Sequence, residues 1–249
     1  MRFPRLQDPL HYGAQNGLAG GGRTATNMLW IAISLFFCWL IFREFQRRKV
    51  VEVGFDTPDP APVYKPYVAI LAILAVLFAW PPAHFWFIGR ILSAKATELA
   101  EGHRAKVHCN TVFDSFFDPN NGARGHANPA TGEIVLQPPY CKTLMDYIDH
   151  PARASRDEIF ALGLLTHESM HVRGERNESV TECEAVQRNY RAARILGVPD
   201  TIARKNALDY FHNFYLPRER LEGSAYFSPE CRPGKAMDEH LVDSTWATH

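Results

Sequence analysis

The clearest chemical signal in this sequence is the pattern His-Glu-x-x-His, formed by His167, Glu168 and His171. On a helix, imidazoles four positions apart lie on one face, so both can reach one metal ion at about 2.0–2.1 Å. The glutamate beside the first histidine lies near the same face, where it can take a proton from a water molecule at the open metal position. The pattern therefore predicts a metal site with two histidine ligands and a carboxylate base.

Signals on both sides of this pattern predict the helix that must hold it. Ser155, followed three residues later by Glu158, is typical of a capping box at a helix N-terminus. Apolar residues follow at helical spacing, and Gly174 comes three residues after His171, where it can end the helix. The two histidines are thus expected at the C-terminal end of a capped helix, before a sharp turn of the chain.

A third protein ligand should come from the next helix, because a catalytic zinc site takes three protein ligands and keeps one position open. Asn177 is a predicted N-cap for a helix that ends near Leu196. Glu178 begins this helix, and Glu182 lies one turn later on the same face. Since only six residues separate His171 from Glu178, either glutamate could be the ligand.

Together these residues resemble the zincin metallopeptidases. The sequence NESVTE at residues 177–182 is similar to the NExxSD segment of the glutamate-zincins (gluzincins), and the resemblance covers residues 155–196. It implies Zn2+ as the cofactor, His167, His171 and Glu178 as its ligands, Glu168 as the catalytic base and Glu182 as the carboxylate that orients a histidine. The short connection keeps Glu182 as an alternative ligand. The metzincin pattern does not fit, because Asn177 stands where that pattern needs a His or Asp.

Zincins also stabilise the oxyanion with a Tyr, His or Arg from a later segment. The sequence offers four such side chains and no reason to prefer one of them: Tyr210, His212, Tyr215 and Tyr226.

Two long apolar runs, residues 28–42 and 67–88, predict membrane spans, because neither contains a charged residue. The first run reaches the length of about 20 residues that crosses a bilayer when the small and polar residues from Thr24 are included. Pro81 and Pro82 should kink the second span or end its apolar core. A cleaved signal peptide fits poorly, since the first run begins late and is followed by basic residues. Those basic residues favour a cytoplasmic loop and termini outside: Arg43, Arg47, Arg48, Lys49 and Lys65.

The cysteines after the second run indicate the compartment of the C-terminal domain. Their number is even and none forms a CxxC pair, so a structural zinc knuckle is disfavoured and two disulfides in an extracytoplasmic domain are expected. Three connectivities remain open, as does the alternative of four reduced thiols in a cytoplasmic domain. The four residues are Cys109, Cys141, Cys183 and Cys231.

The remaining patterns predict a small, mostly helical α+β domain. Residues 105–113 have strand character, residues 114–132 are a predicted long loop, and residues 133–137 form a short strand. Pro138 and Pro139 end that strand and favour an edge position. By its place before the helix, the strand is similar to the zincin edge strand that lines the substrate cleft. Asp200 begins a predicted third helix.

The expected organisation has six parts: a flexible tail (1–26), a first transmembrane helix (27–43), a short loop (44–66), a second transmembrane helix (67–89), a linker helix (90–104) and a zincin-like metallopeptidase domain (105–249). Charged residues flank the histidine pattern, so it should lie in water and not inside a span. Lys and Arg together number 27, as do Asp and Glu, without a basic face for nucleic acid.

We therefore expect an integral membrane hydrolase, a zinc-dependent metallopeptidase in which Glu168 is the general base for attack by a zinc-activated water. Its partners would be a peptide or protein substrate and the lipid bilayer, and no cofactor other than zinc is expected. The alternative is a non-catalytic, membrane-tethered binding or assembly module on a zincin-like scaffold.

Overall fold

The computed structural model describes residues 20–51, 64–221 and 223–247. Most of the predicted tail and the centre of the predicted loop lie outside these residues. The described chain is mostly helical with one small sheet, as expected for the α+β class. It divides into two compact units, Asn16–Phe87 and one that contains Ile88–His249.

The N-terminal unit is built from two apolar helices. Helix α1 spans Gly20–Val51, and helix α2 spans Lys65–Leu99, passing through Pro81 and Pro82 without a break and continuing into the second unit. Both helices are long and apolar enough to cross a membrane. Large apolar side chains on them are exposed, which is typical of helices that contact lipid: these include Leu35, Trp39, Val76 and Leu77.

The second unit contains a three-stranded sheet made of β1 (Lys106–Cys109), β2 (Gly125–Asn128) and β3 (Glu133–Leu136). The order is β1-β3-β2, with β1 parallel and β2 antiparallel to β3. Ile134 of β3 is fully buried and pairs with buried residues on both neighbouring strands. This sheet packs against the helix that carries the histidine pattern.

The prediction that residues 133–137 form an edge strand is wrong, because β3 is the central strand of the described sheet. The two prolines follow the last paired residue, Leu136, and Gln137 donates its backbone N–H to the carbonyl of Arg124. Pro138 and Pro139 therefore end the strand without removing a ladder hydrogen bond, and carry no information about an edge.

The predicted long loop, residues 114–132, is also wrong in part. It contains the end of a short helix, α3 (Val112–Phe117), and the whole of β2. The sequence of β2 is Gly-His-Ala-Asn, in which the glycine and asparagine favour turns and only the alanine is apolar. Pairing with β3 makes this segment a strand, and that pairing is not a local property of its sequence.

The remaining helices are α4 (Tyr140–Asp149), α5 (Arg156–Arg173), α6 (Glu178–Ile195) and α7 (Asp200–Tyr210). Leu162 and Leu165 of α5 are fully buried in the same core as β3. After α7 the chain forms a π-helical turn, Phe211–Tyr215, and a 3-10 turn, Leu216–Arg220.

Two disulfides connect these elements, as expected from the even number of cysteines. Cys109 at the end of β1 pairs with Cys141 in α4, and Cys183 in α6 pairs with Cys231 in the C-terminal segment. The tertiary structure thus selects one of the three connectivities that the sequence left open.

Candidate metal centre

Helix α5 brings its two histidines to the site through the predicted local signals. Ser155 and Glu158 form the capping box, and Gly174 ends the helix with φ of 121°, a conformation that glycine adopts at low cost. The turn that follows places the carbonyl oxygen of Glu175 2.8 Å from Nδ1 of His171. The sharp turn after the helix therefore orients one of the two imidazoles.

Three donor atoms converge at the end of α5. Nε2 of His167 lies 3.1 Å from Nε2 of His171, and Oε2 of Glu178 lies 3.2 Å from the first nitrogen and 3.4 Å from the second. Ligands of a tetrahedral zinc ion with bonds of about 2.0–2.1 Å are about 3.3 Å apart. In the part of the chain that the structure describes, this is the one such group of His, Cys, Asp or Glu side chains. It could hold a metal ion.

The other ring nitrogen of each histidine has an acceptor. Nδ1 of His167 is 2.8 Å from Oε2 of Glu182, and Nδ1 of His171 donates to the carbonyl of Glu175. Because a carboxylate and a carbonyl can only accept, both Nδ1 atoms carry hydrogen, and in a neutral imidazole the lone pair is then on Nε2. When both imidazoles are neutral, two nitrogen lone pairs and a carboxylate oxygen face one point, an arrangement that suits a cation.

Charges around the histidines also favour a cation. Burial alone would lower the pKa of His167, but the carboxylates of Glu178, Glu182 and Glu168 outweigh it and raise the pKa to about 10. Burial alone would raise the pKa of Glu178, but the two imidazoles lower it to about 2. Without a metal the site therefore retains a proton, which a divalent cation would displace.

Glu182 lies behind His167 in a buried hydrogen-bonded group. Its Oε2 accepts from His167, and its Oε1 accepts from the hydroxyl of Tyr210 at 2.8 Å and from the guanidinium of Arg218. Burial would raise the pKa of Glu182, but the Arg218 charge and the His167 hydrogen bond lower it to about 2. This carboxylate is placed to orient an imidazole.

Glu178 and Glu182, the two glutamates that the sequence offers as a third ligand, lie at different places relative to the imidazoles. Glu178 is the first residue of α6, directly after the N-cap Asn177, and its carboxylate reaches the two Nε2 atoms. Glu182, one turn further into α6, reaches only the far side of the His167 ring. Glu178 therefore supplies the carboxylate of the cluster.

Glu168 is buried beside the cluster. Its carboxylate approaches strand β2 closely at Gly125. A Cβ at this glycine would lie only 3.3 Å from Oε1 of Glu168. Its Oε2 has no hydrogen-bond partner among the described residues. Burial raises the pKa of Glu168, although the two imidazoles oppose the shift. A carboxylate with a raised pKa is suited to accept and release a proton near neutral pH.

Of the four oxyanion candidates, Tyr226 is the one beside the cluster. Its ring centroid lies 5.7 Å from that of His167, and the Arg218 guanidinium carbon lies 5.7 Å from the Tyr226 centroid. The hydroxyl of Tyr210 is bonded to Glu182 and that of Tyr215 donates to the carbonyl of Ser228, while His212 is exposed.

Sequence reasoning missed the roles of Arg218, of Tyr210 toward Glu182, and of Gly125. Arg218 lies in a 3-10 turn after Pro217, in a segment without periodicity, so no local pattern connects it with α6. The glycine in β2 carried a weak signal, because a glycine inside a strand often marks a close approach.

Replacing Gly163 of α5 with alanine is expected to destabilise the protein, although alanine is the better helix former by about 1 kcal/mol. A Cβ at this position would lie 2.1 Å from Cε2 of Tyr210, whose ring is buried and stacks on Phe214. Overpacking of this kind costs about 1–3 kcal/mol, and it would also move the Tyr210 hydroxyl away from Glu182. Chemical denaturation of the purified variant measures the loss.

Gly122→Ala is the matched control, because a Cβ there has no atom within 4 Å. Its free energy of unfolding should stay within about 0.5 kcal/mol of the parent. If Gly163→Ala were as stable as this control, the close approach of Tyr210 to α5 would be contradicted.

Comparison of the chain with protein-family models, with curated proteins and with solved structures gives no match. The interpretation of the site therefore depends on the chemistry and geometry of its own residues.

Proposed function

We propose that this protein is a zinc-dependent metallopeptidase of the zincin type, anchored to a membrane by α1 and α2. One observation carries the proposal: two imidazole nitrogens and a carboxylate oxygen, 3.1–3.4 Å apart, converge beside a buried glutamate, one oxygen of which has no hydrogen-bond partner among the described residues. These donor types at this spacing suit zinc, and three protein ligands leave the fourth tetrahedral position for a water molecule.

Zinc in such a site would polarise the substrate carbonyl and make a water molecule easier to deprotonate. His167, His171 and Glu178 would hold the ion, while Glu182 and the Glu175 carbonyl keep both imidazoles in the ligating tautomer. Glu168 would accept the proton of the attacking water at its carboxylate and pass it to the nitrogen of the leaving amine. Its raised pKa supports both transfers.

A peptide is the substrate class that the surroundings of Glu168 favour. Strand β2 passes beside Glu168 at Gly125, and among the described strands it pairs only with β3. Pairing of an extended peptide backbone with an edge strand is a recurring mode of peptide recognition, so a strand at this place supports a peptide substrate. Among the described strands, β2 is therefore an edge strand beside Glu168, and residues 133–137 are not.

The disulfides support an extracytoplasmic position for the second unit. Disulfides persist in oxidising compartments and are rare in the cytosol, and this unit contains both Cys109–Cys141 and Cys183–Cys231. The basic residues between the predicted spans agree with this orientation, because positive loops stay in the cytoplasm.

Metal analysis and peptide hydrolysis, measured on the same purified full-length protein, test the proposal. We expect bound zinc and peptide hydrolysis, both lost on treatment with a chelator and both restored by zinc. Glu178→Ala should lose the zinc because it removes a ligand, whereas Glu182→Ala should weaken zinc binding by about 10–100-fold because it removes only the partner of His167.

Glu219→Ala is the control, because Glu219 is exposed and pairs with Arg232, which is not a residue of the cluster. It should retain zinc and activity. Protein that binds zinc but hydrolyses no peptide would favour the alternative function, a membrane-tethered binding or assembly module. Zinc that survives alanine at both His167 and His171 would contradict the site itself.

A further inference from the structure

Helix α3 has its polar side chains directed inward and its apolar side chains directed outward. Asp114 is buried, with Oδ2 accepting from the backbone N–H and the hydroxyl of Thr111, and Ser115 donates its hydroxyl to Oε1 of Gln137 at 2.7 Å. The outward residues are Val112, Phe113, Phe116 and Phe117, which are 69%, 49%, 75% and 60% exposed. Four large apolar side chains on one face of a six-residue helix are the reverse of the usual pattern in water.

The position of α3 within its unit is given by the path of β1. The backbone N–H of Ala105 donates to the hydroxyl of Thr97, and that of Val107 donates to the hydroxyl of Ser93. Further along, the carbonyl of Val107 approaches Gly89, where a Cβ would lie 2.8 Å away. Strand β1 therefore runs back along α2 toward Ile88, and α3 follows at that end of the unit.

Ile88 is also where the second apolar run of the sequence ends. A run of this length crosses the hydrocarbon core of a bilayer, so its end should lie close to the membrane surface. The apolar face of α3 is thus at the end of the unit where the chain leaves the membrane.

We propose that the α3 face, formed by Val112, Phe113, Phe116 and Phe117, inserts into the headgroup and acyl boundary of the membrane that α1 and α2 span. The inference depends on the membrane attachment in the proposed function and is independent of the peptidase activity. The apolar faces of amphipathic helices lie in this boundary, at a depth of roughly 5–10 Å. A docked α3 would hold the second unit, and with it the metal cluster, close to the bilayer.

A substrate side chain is the main rival occupant of the α3 face. Gly125, which lies beside Glu168, pairs with Leu136, so the candidate site is at the same end of the sheet as α3. Ligand subsites are concave, however, and enclose the group that they bind. The side chains of the α3 face are about half-exposed or more and project from a short helix, so the face is convex. A convex face suits a lipid surface better than a substrate side chain.

The experiment places an environment-sensitive fluorophore on α3 in the full-length protein. Cys38, the free cysteine among the described residues, is first replaced by alanine, and Phe116→Cys is labelled with a nitrobenzoxadiazole group. The protein is reconstituted in phosphatidylcholine–phosphatidylglycerol vesicles, with or without spin-labelled lipids that quench at known depths. We expect blue-shifted emission and lipid quenching that places the label roughly 5–10 Å below the headgroups.

Val242→Cys is the matched control. Val242 is 81% exposed and adjoins Asp243. Asp243 pairs with Arg191, and Arg191 also contacts Glu101, which follows the C-terminal end of α2. Val242 is therefore at the end of α2 opposite to Ile88. A label there should show red-shifted emission and quenching by aqueous iodide only. Because Phe116 is itself 75% exposed, replacing it should leave zinc content unchanged.

Several outcomes would overturn the inference. A label on Phe116→Cys that behaves like the one on Val242→Cys would show that α3 faces water. A label with blue-shifted emission that lipid-borne quenchers do not quench, and whose emission changes when a peptide binds, would contradict the inference. That result would show that polypeptide, and not lipid, covers the face. A full-length protein that does not float with the vesicles would contradict the membrane attachment as well.

Discussion

Glu168→Gln is expected to lower the rate of peptide hydrolysis by about 10²–10⁴-fold while zinc remains bound, since a positioned general base contributes a factor of this size. Glutamine has nearly the same shape as glutamate but cannot accept the proton of the attacking water. The three donor atoms of the cluster come from His167, His171 and Glu178, so none of them is removed. Zinc content and kcat measured on the same preparation separate loss of the base from loss of the metal.

Stability gives a second way to separate these effects. The Glu168 carboxylate is buried, and one of its oxygens has no hydrogen-bond partner in the described part of the chain. Burial raises its pKa, so its surroundings disfavour the ionised form. Replacing it with a neutral group should therefore not lower the free energy of unfolding. Activity should disappear from a protein that is at least as stable as the parent.

Asp157→Asn is the matched control for Glu168→Gln. It removes one negative charge from the same helix, but at an exposed position in the first turn. Its hydrolysis rate should stay close to that of the parent. Unchanged hydrolysis by zinc-loaded Glu168→Gln would refute the peptidase proposal, because no other described carboxylate beside the cluster is available as the base.

Arg218→Met is expected to lower the free energy of unfolding by about 3–5 kcal/mol, the usual cost of leaving a buried charge without its partner. The guanidinium of Arg218 donates to Oε1 of Glu182, whose side chain is 3% exposed. Methionine keeps most of the length and apolar volume of the arginine, so the missing charge is the main change. Chemical denaturation of the metal-free protein measures the loss.

The same substitution should weaken zinc binding by about 10–100-fold, although Arg218 is not in the cluster. Glu182 accepts from His167, so a carboxylate that has lost its cationic partner holds the imidazole less firmly. Zinc titration against a competing chelator measures this effect. A purely structural role for Arg218 would lower stability and leave the zinc affinity of the folded protein unchanged.

Two further variants make this prediction sharper. Arg220→Met removes an exposed arginine from the same 3-10 turn and should change stability by no more than about 0.5 kcal/mol. The double variant Arg218→Met with Glu182→Gln should be less destabilised than the sum of its single changes, because no uncompensated charge remains. If Arg218→Met matched Arg220→Met in stability, the buried ion pair would be contradicted.

Much of the scaffold around the candidate site could be predicted from local sequence. The capping box of α5, its end at Gly174 and the Asn177 cap of α6 are all present in the structure. Each depends on residues within one helical turn, and a side chain that satisfies backbone groups so close to itself acts in almost any tertiary context. The spacing of His167 and His171 is of the same kind, because four residues of helix place them on one face whatever packs around them.

The strand predictions were less successful for the opposite reason. The place of β3 in the sheet depends on which strands flank it, and β2 is a strand only because β3 pairs with it. The two prolines after β3 led to the wrong prediction of an edge strand, and the glycine and asparagine of β2 led to the wrong prediction of a loop. Both signals describe local backbone preference and contain no information about distant partners.

Sequence alone therefore determined the membrane-span candidates, the capped helices and the two imidazoles, and it favoured two disulfides. Only the tertiary structure decided which cysteines pair, that Glu178 faces the imidazoles while Glu182 lies behind one of them, and that Arg218 completes the group around Glu182. The first set depends on hydropathy, composition and contacts within about one turn of helix. The second depends on contacts between elements far apart in the chain, and their geometry is set by packing of the whole core.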